Sequence, residues 1–401
     1  MTTHDECDAC WMARAMELAK RGEGFVEPNP MVGCVIVATH KADGTVEVIG
    51  EGWHRAFGQA HAEVEAIRDA RSKGKSTVGA TVYVTLEPCC HHGKTPPCTL
   101  ALLEVGVKRV VTAMRDPFGA VDGGGIAQLR DKGVEVSLGC LEAEARELNA
   151  PYLTRIEKRR PWVIAKWAMT LDGKIATRTG SSQWISSEAS RQVVHRLRAR
   201  SDAIMIGSRT AMTDDPLLTV RLDPPLLPQR TPLRVIFDSN VTLSPSSRLA
   251  QTASEAGVLV AASRNSIESN EITQHNVMML TDCGCKILPL DGDSHQERMA
   301  ELLRHLAERG VTNLLVEGGG TLLGLLFDLQ WIDEVHAFIA PKLIGGSIAG
   351  RSTDGAVPVL RTETLPIGGL GLEQMSDAVL LKNPVTEMIG TDIYCHGRVT
   401  R

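Results

Sequence analysis

Between His61 and Cys98 the chain sets down a histidine, a glutamate two residues later and then, past a strand-like run, Glu87-Pro88-Cys89-Cys90-His91-His92-Gly93-Lys94-Thr95-Pro96-Pro97-Cys98. Imidazoles and thiolates are metal ligands when they converge, and a metal accepts them only at fixed bond lengths, about 2 Å for nitrogen and about 2.3 Å for sulfur. A chain that uses them must bring a helix start, the turn after a strand and the start of a second helix to one point. No compositional property constrains the fold as tightly.

A His-x-Glu followed by Pro-Cys and a further cysteine is the pattern of zinc-dependent hydrolytic deaminases. One imidazole and two thiolates leave a fourth position for water, which zinc makes acidic enough to attack at neutral pH. The glutamate moves protons without ligating. The residues thus give His61, Cys89 and Cys98 as zinc ligands and Glu63 as the proton carrier. Eight residues separate Cys89 from Cys98, longer than a Cys-x-x-Cys, which leaves Cys90, His91 and His92 as rival ligands. In favour of the first set, Cys89 follows Pro88 where a strand should end, and Cys98 follows Pro96-Pro97 and opens the apolar run Leu100 to Val105. Both thiolates are expected at helix N-termini, where the backbone field favours negative sulfur. The alternatives are a closed structural zinc site, or two buried cysteines beside a surface histidine pair.

At 401 residues the chain is long for one domain and comfortable for two. A net charge of -5 and a pI of about 6.2 give no bulk basic surface for nucleic acid or an anionic membrane. The polar, acidic start Met-Thr-Thr-His-Asp-Glu is not a signal peptide, and no apolar stretch reaches membrane-spanning length. Ten cysteines diluted in so long a chain, several of them with histidine at metal-like spacing, are expected in a reducing, cytoplasmic compartment.

Residues 8–20 have helical periodicity, and Cys7 and Cys10 read as part of that helix rather than as a redox pair. Strands are expected at Met31–Ala38, Thr45–Gly50, Thr81–Leu86 and Lys108–Met114, with a turn at Lys41–Gly44. Helices are expected at His61–Ala70, Leu100–Val105 and from Leu141, and a turn and strand within Arg130–Gly139. His61 and Glu63 belong near the first turn of their helix, since residues two apart do not share a face. Residues 1–150 therefore form an α/β domain around a mixed sheet covered on both sides. Asn29, just before the first strand, carries an amide able to grip a pyrimidine edge, though position alone reads it as a turn residue before proline.

The charged run Arg155–Arg160 reads as a linker (151–160) or a helix end, and residues 161–401 as a second α/β domain. Strands are expected at Trp162–Thr170, Asp202–Gly207, Leu233–Phe237, Gly257–Ala261, Val335–Ile339, Ala378–Leu381 and Met388–Tyr394, and Asn313–Leu322 reads as a strand that passes through glycines into a helix. Capped or amphipathic helices are expected at Ser187–Ala199 and His295–Arg309, and a loop at Thr210–Arg221. Residues 262–282 are Ser/Asn-rich and weakly patterned, which reads as surface, and Cys283-Gly284-Cys285 as surface thiols. Glu317-Gly318-Gly319-Gly320 leads a strand into a helix, a place where free amides can cradle a dinucleotide phosphate. It is neither a GxGxxG nor a P-loop, so a tight strand-to-helix turn explains it equally well.

Taken together, several motifs resemble the bifunctional deaminase-reductase family of riboflavin biosynthesis over essentially the whole chain. In the first domain these are Pro28–Gly33, His61–Val64, Thr85–Cys89 and His91–Cys98. In the second they are Lys166–Lys174, Ser182–Ile185, Thr210–Arg221, Val316–Gly319 and Ala340–Leu343. The long cysteine interval is typical of this family, which assigns the second thiolate to Cys98. The resemblance implies a cytidine-deaminase-like αβα domain followed by a dihydrofolate-reductase-like α/β domain. It implies zinc and NADPH as cofactors, phosphorylated pyrimidines as substrates and a homo-oligomer, a dimer or tetramer. It further implies deamination of a diaminopyrimidinone ribosylamine 5′-phosphate, then reduction of the ribosyl group to ribityl. By similarity Ala168, Trp184, Thr210, Asp214 and Ser239 contact NADPH, as do Gly319, Gly320, Thr321, Leu322, Leu323, Gly324 and Leu325. Ser182, Arg198, Leu218, Arg221 and Glu317 correspond to substrate contacts, with both arginines suited to the 5′-phosphate. Lys166 is a candidate for the ribose region and for protonation there; an ion pair is the plain alternative for Lys166 and Asp214. Cys90 stands where the family commonly has serine, and Phe118 where it commonly has asparagine.

Overall fold

The structure, a computed structural model, describes residues 3–39, 45–91, 96–119, 121–222, 231–346 and 364–400, apart from the side chains of residues 3–7. The expected turn at Lys41–Gly44 and the rival ligand His92 lie outside the described residues. The chain divides into two compact units, Met1–Arg159 and Arg160–Arg401.

In the first unit the elements run α1 (Thr3–Ala19), β1 (Gly33–Thr39), β2 (Val46–Trp53), α2 (Ala62–Ser72), β3 (Thr81–Val84), α3 (Cys98–Glu104) and β4 (Arg109–Thr112). They continue with α4 (Gly124–Asp131), β5 (Glu135–Leu138), α5 (Glu142–Leu148) and α6 (Ala150–Lys158). The described strands form one sheet, β2-β1-β3-β4-β5, with β1 antiparallel to β2 and β3, and β3, β4 and β5 parallel. Side chains alternate along a strand, and β1 uses both faces. Cys34 and Ile36 join the core under α2 and α3, while Val35 and Val37 join the core under α1 and α6. The glycines of β2 allow the closest approach: a Cβ on Gly52 would lie 2.3 Å from Ala66 N, so α2 sits directly on the strand. That contact fixes the end of α2 that carries His61.

In the second unit the first elements are β6 (Trp162–Thr170), α7 (Glu188–Arg200), β7 (Ala203–Gly207), α8 (Ser208–Asp214), β8 (Leu233–Phe237), α9 (Arg248–Gln251) and β9 (Val258–Ser263). Then come α10 (Arg264–Ser269), α11 (Glu271–Asp282), β10 (Lys286–Leu290), α12 (His295–Glu308), β11 (Asn313–Val316), α13 (Gly320–Asp328), β12 (Glu334–Ala340), β13 (Leu381–Ile389) and β14 (Asp392–Val399). Among the described residues the sheet order is β10-β9-β8-β7-β11-β6-β12-β14-β13, parallel up to β12 and closed by an antiparallel hairpin. The parallel strands β7, β9 and β11 are apolar almost throughout, as burial on both faces demands.

Several expectations need correction. Residues 151–160 are not an open linker. Most belong to α6, whose Tyr152 and Leu153 are core residues, and Arg160 is buried with its guanidinium on Asp333 at 2.5 and 2.8 Å. The Ser/Asn-rich segment is helical: Ser263 caps α10, and the Asn270 side chain accepts from Ile272 N and Thr273 N to cap α11. Residues expected as the loop Thr210–Arg221 begin inside α8. Cys283-Gly284-Cys285 is the stop of α11 with Gly284 at φ 91°, and Cys285 is buried rather than at the surface. The expected strand Met388–Tyr394 straddles the hairpin turn at Gly390.

Candidate functional site

The first site forms where three chain segments meet. His61 is the N-cap of α2, so its ring leaves the helix end while Glu63 points from the first turn. Cys89 lies on the extended turn after β3. Cys98 is the first residue of α3, and its backbone N–H donates to Cys89 Sγ at 3.3 Å. Thus Cys98 opens a helix as expected, whereas Cys89 is no helix start; it receives the first amide of α3 instead. His61 Nδ1 lies 3.5 Å from Cys89 Sγ and 3.3 Å from Cys98 Sγ, and all three ligand atoms fall within 4.8 Å of one another. Two sulfurs and a nitrogen at that spacing suit zinc. Among the described residues no other group of three such side chains converges in this way. Cys90 turns toward Gly124, outside the trio, and His91 lines the cavity without joining it.

Electrostatics agree with the geometry. Hydrogen bonding from Cys98, aided by His61 against the opposing effect of burial, brings the Cys89 thiol down to about 4; its thiol partner Cys98 is pushed up. Glu63 is 3% exposed, and burial together with the neighbouring Cys89 raises its carboxyl to about 6. His61, Glu63 and Cys89 border a cavity of about 280 Å³.

Asn29 lies on the same cavity. Its Nδ2 is 3.1 Å from His54 Nε2, and His54 Nδ1 is 3.0 Å from Ala60 O. An amide NH₂ can only donate and a carbonyl only accept, so His54 carries its proton on Nδ1 and Asn29 Oδ1 remains to accept. Burial lowers the His54 pKa in keeping with that neutral ring. Tyr152 and Arg155 of α6 complete the wall, and Arg155 donates to Pro28 O at 2.9 Å. Neither His54, Tyr152 nor Arg155 stood out in the sequence; their only signal is position in the folded unit.

The second site is a cavity of about 750 Å³, within the range of small-molecule sites. It gathers Lys166 and Ala168 of β6, Ser182, Trp184, Arg198 of α7, Thr210 and Asp214 of α8, Leu218, Arg221, Glu317 and Gly319. Arg198 grips Glu317 with two bonds, 2.5 Å and 3.0 Å, and Lys166 Nζ approaches it at 3.6 Å. Burial alone would raise the Glu317 carboxyl, but Arg198 and Lys166 outweigh it and hold the pKa at about 2. Burial likewise lowers Lys166, with Glu317 opposing. Ser182 Oγ donates to Asp214 Oδ1 at 2.8 Å. His195 accepts from Arg221 N at 3.3 Å and is pushed down to about 4 by burial, Arg198 and Arg221, so it adds no charge near neutrality. Among the described residues the guanidinium groups of Arg221 and Arg248 face the cavity without pairing with a carboxylate.

Other expected cofactor residues fall elsewhere. Ser239 follows β8 off the cavity wall, its carbonyl accepting from Ser263 N at 3.0 Å. Leu322 and Leu323 are core residues, Leu325 packs against that core, and Thr321 is exposed. Gly320 opens α13, and Gly324 faces the backbone of residues 368–369, where a Cβ would lie 2.3 Å from Gly369 N. From this helix only the start is offered to a ligand: Gly318 and Gly319 line the cavity with backbone alone, as a phosphate cradle requires. That arrangement and the size of the cavity fit NADPH.

Comparison with known proteins agrees with both sites. Residues 5–114 match the cytidine and deoxycytidylate deaminase zinc-binding region, and residues 161–367 match the RibD C-terminal domain. Riboflavin biosynthesis protein RibD of Aquifex aeolicus is 37% identical over 97% of both chains, and that of Escherichia coli 39% identical over 97% of this chain and 98% of its own. Among solved structures, RibD of Acinetobacter baumannii superposes with a TM-score of 0.79 at 33% identity, covering 99% of this chain and all of its own (100%). A diaminohydroxyphosphoribosylaminopyrimidine deaminase/5-amino-6-(5-phosphoribosylamino)uracil reductase of Thermotoga maritima gives 0.77 at 35%, with coverage of 99% and 100%. The chain belongs to the RibD family of bifunctional riboflavin-biosynthesis enzymes, a zinc-dependent deaminase and an NADPH-dependent reductase in one polypeptide.

Proposed function

We propose that the first unit deaminates 2,5-diamino-6-ribosylamino-4(3H)-pyrimidinone 5′-phosphate. The second unit then reduces the ribosyl group of the resulting 5-amino-6-(5-phosphoribosylamino)uracil to ribityl. The observation that carries this reading is the convergence of His61, Cys89 and Cys98 on one cavity with a buried Glu63 and an amide acceptor at Asn29. His61, Cys89 and Cys98 hold zinc, which when bound makes water acidic enough to attack at neutral pH. Glu63 accepts the proton of the attacking water and returns it to the leaving ammonia, and Asn29 holds the pyrimidine edge. In the second unit NADPH supplies the hydride, and the protein supplies position and field. Ala168, Trp184, Thr210, Asp214 and the start of α13 hold the cofactor. Ser182, Leu218 and Glu317 hold the sugar, and Arg198 and Arg221 the 5′-phosphate. Lys166, beside Glu317, reaches the ribose and is the proton donor there.

The test is Glu63→Gln. A glutamine cannot relay protons, so ammonia release should fall by at least about 10²-fold while zinc content and fold persist. Unchanged ammonia release would remove Glu63 from the mechanism. Loss of zinc and fold together would favour a structural metal instead.

We also infer a homo-oligomer in a reducing, cytoplasmic setting. Strand β13 is exposed along most of its length, with Val385 at 48% and Met388 at 63%, a sheet edge open to a second copy. Among the described cysteines none is bridged, and no helix there is long and apolar enough to cross a membrane.

A further inference from the structure

The chemistry above leaves one buried carboxylate beside the cysteine turn without a task. Glu87 is 4% exposed. Its Oε2 accepts from Asp116 N at 3.4 Å and Gly123 N at 3.0 Å, and its Oε1 from Ile126 N at 3.0 Å. An ionised carboxylate is all acceptor, with room for about four donors, so three backbone amides suit it. Gly123 is the N-cap of α4 and Ile126 lies in its first turn, where negative charge is favoured.

The segment held by these bonds is a wall of the first cavity, which Asp116, Phe118 and Val121 line together with Glu87 itself. It also presses on the cysteine turn: a Cβ on Gly125 would lie 2.0 Å from Pro88 O, and one on Gly124 2.9 Å from Cys90 Sγ. From the other side Asp116 Oδ1 accepts from Phe118 N at 3.0 Å and from Tyr152 OH at 2.8 Å, which orients Phe118 toward the ring of His91, 6.1 Å away.

We propose that Glu87 is a positioning residue for deamination: although it borders the cavity, its carboxylate is spent on backbone amides and holds residues 116–119 and 121–126 as the wall of the pyrimidine pocket, and Phe118 and Val121 on that wall meet the substrate. This rests on the deaminase reading of the first site. Its consequence is a separation of binding from metal chemistry, because the wall is tied down by a residue that neither ligates nor relays protons.

Glu87→Gln tests it, since the amide keeps the shape but turns an NH₂ toward backbone donors. Amide hydrogen exchange should quicken within 116–126. KM for the diaminopyrimidinone phosphate should rise about tenfold or more while kcat changes by less than about threefold, the mark of lost binding rather than lost chemistry. Cobalt-substituted protein should keep its thiolate-to-cobalt absorption. Phe118 is 43% exposed, so Phe118→Ala should fold. It should raise KM as well, and its effect should not add to that of Glu87→Gln if both act through one wall. An unchanged KM, additive effects, or loss of the cobalt absorption along with the rise in KM would overturn the proposal. Absence of ammonia release from the unaltered zinc protein would refute the deaminase reading itself.

Discussion

Glu317 sits under two cations, Arg198 at 2.5 Å and Lys166 at 3.6 Å, in a wall that water scarcely reaches. Its carboxyl is held at about 2 against an ordinary 4.5, so the folded state binds its proton less readily than the unfolded state. The resulting stability is complete above about pH 4.5 and is lost as pH falls through about 2. The stability advantage of the native protein over Glu317→Gln, measured by denaturant titration, should therefore be constant from neutrality to about pH 4.5 and shrink below it. An advantage that grew on acidification would contradict the ion-pair assignment. Arg221 differs in having no carboxylate partner among the described residues. Arg221→Ala should leave folding nearly unchanged and raise KM for the phosphorylated uracil by about 10- to 100-fold, the scale of a lost charge-assisted phosphate contact. An unchanged KM would move the phosphate elsewhere. At this scale the convergence of His61, Cys89 and Cys98 next to a buried Glu63 was legible in the sequence, because ligand chemistry restricts residue type and spacing within some forty positions. The family resemblance, not the spacing, decided between Cys98 and its rivals. His54, Tyr152 and Arg155 were not legible, because nothing local distinguishes a pocket side chain from an ordinary one.

Among the elements, the start of α13 does the most with the least side-chain chemistry. Its glycines bring bare backbone to the second cavity, and Gly324 lets the helix lie against residues 368–369. Gly324→Ala puts a methyl 2.3 Å from Gly369 N, so helix or loop must move. The cost should be about 1–3 kcal/mol, as for other overpacked sites, read as a lowered unfolding temperature together with a raised KM for NADPH. A stability like that of the native protein would show that the contact is soft. The central strands were read well because their apolar, β-branched runs are what a sheet buried on both faces requires, whereas the edge strand β10 was not expected and the expected strand Ala378–Leu381 reaches β13 only at Leu381. Helices α10 and α11 were missed because Ser263 and Asn270 look like loop residues in composition, yet act as caps whose side chains satisfy the first free amides. Helix α4 was missed because it begins Gly-Gly, a poor helix former that here serves close packing.

Each of the two units has its own hydrophobic core, and each carries one candidate site. Metal removal should therefore act on one unit alone. Chelation should abolish ammonia release and lower the unfolding temperature of the unit Met1–Arg159, while NADPH oxidation with the deaminated substrate continues. The sequence disclosed two α/β domains through their alternating elements. It did not disclose a reductase by its own physics, since the second cavity draws on residues from Lys166 to Thr364 with no compact signature. Of the two readings of the charged run, the helix end holds and the linker does not: the charged residues of α6 resemble a solvated segment, although Tyr152 and Leu153 beside them are core.

The central claim is that two reactions follow one another on a single phosphorylated pyrimidine. The measurement that tests it most directly gives purified, zinc-loaded protein the diaminopyrimidinone phosphate and NADPH, and follows ammonia and NADPH absorbance together. Ammonia should appear first, with NADPH consumed after a lag and only as deaminated product accumulates. NADPH oxidation that precedes ammonia release, or ammonia release with no later NADPH oxidation, would contradict the account.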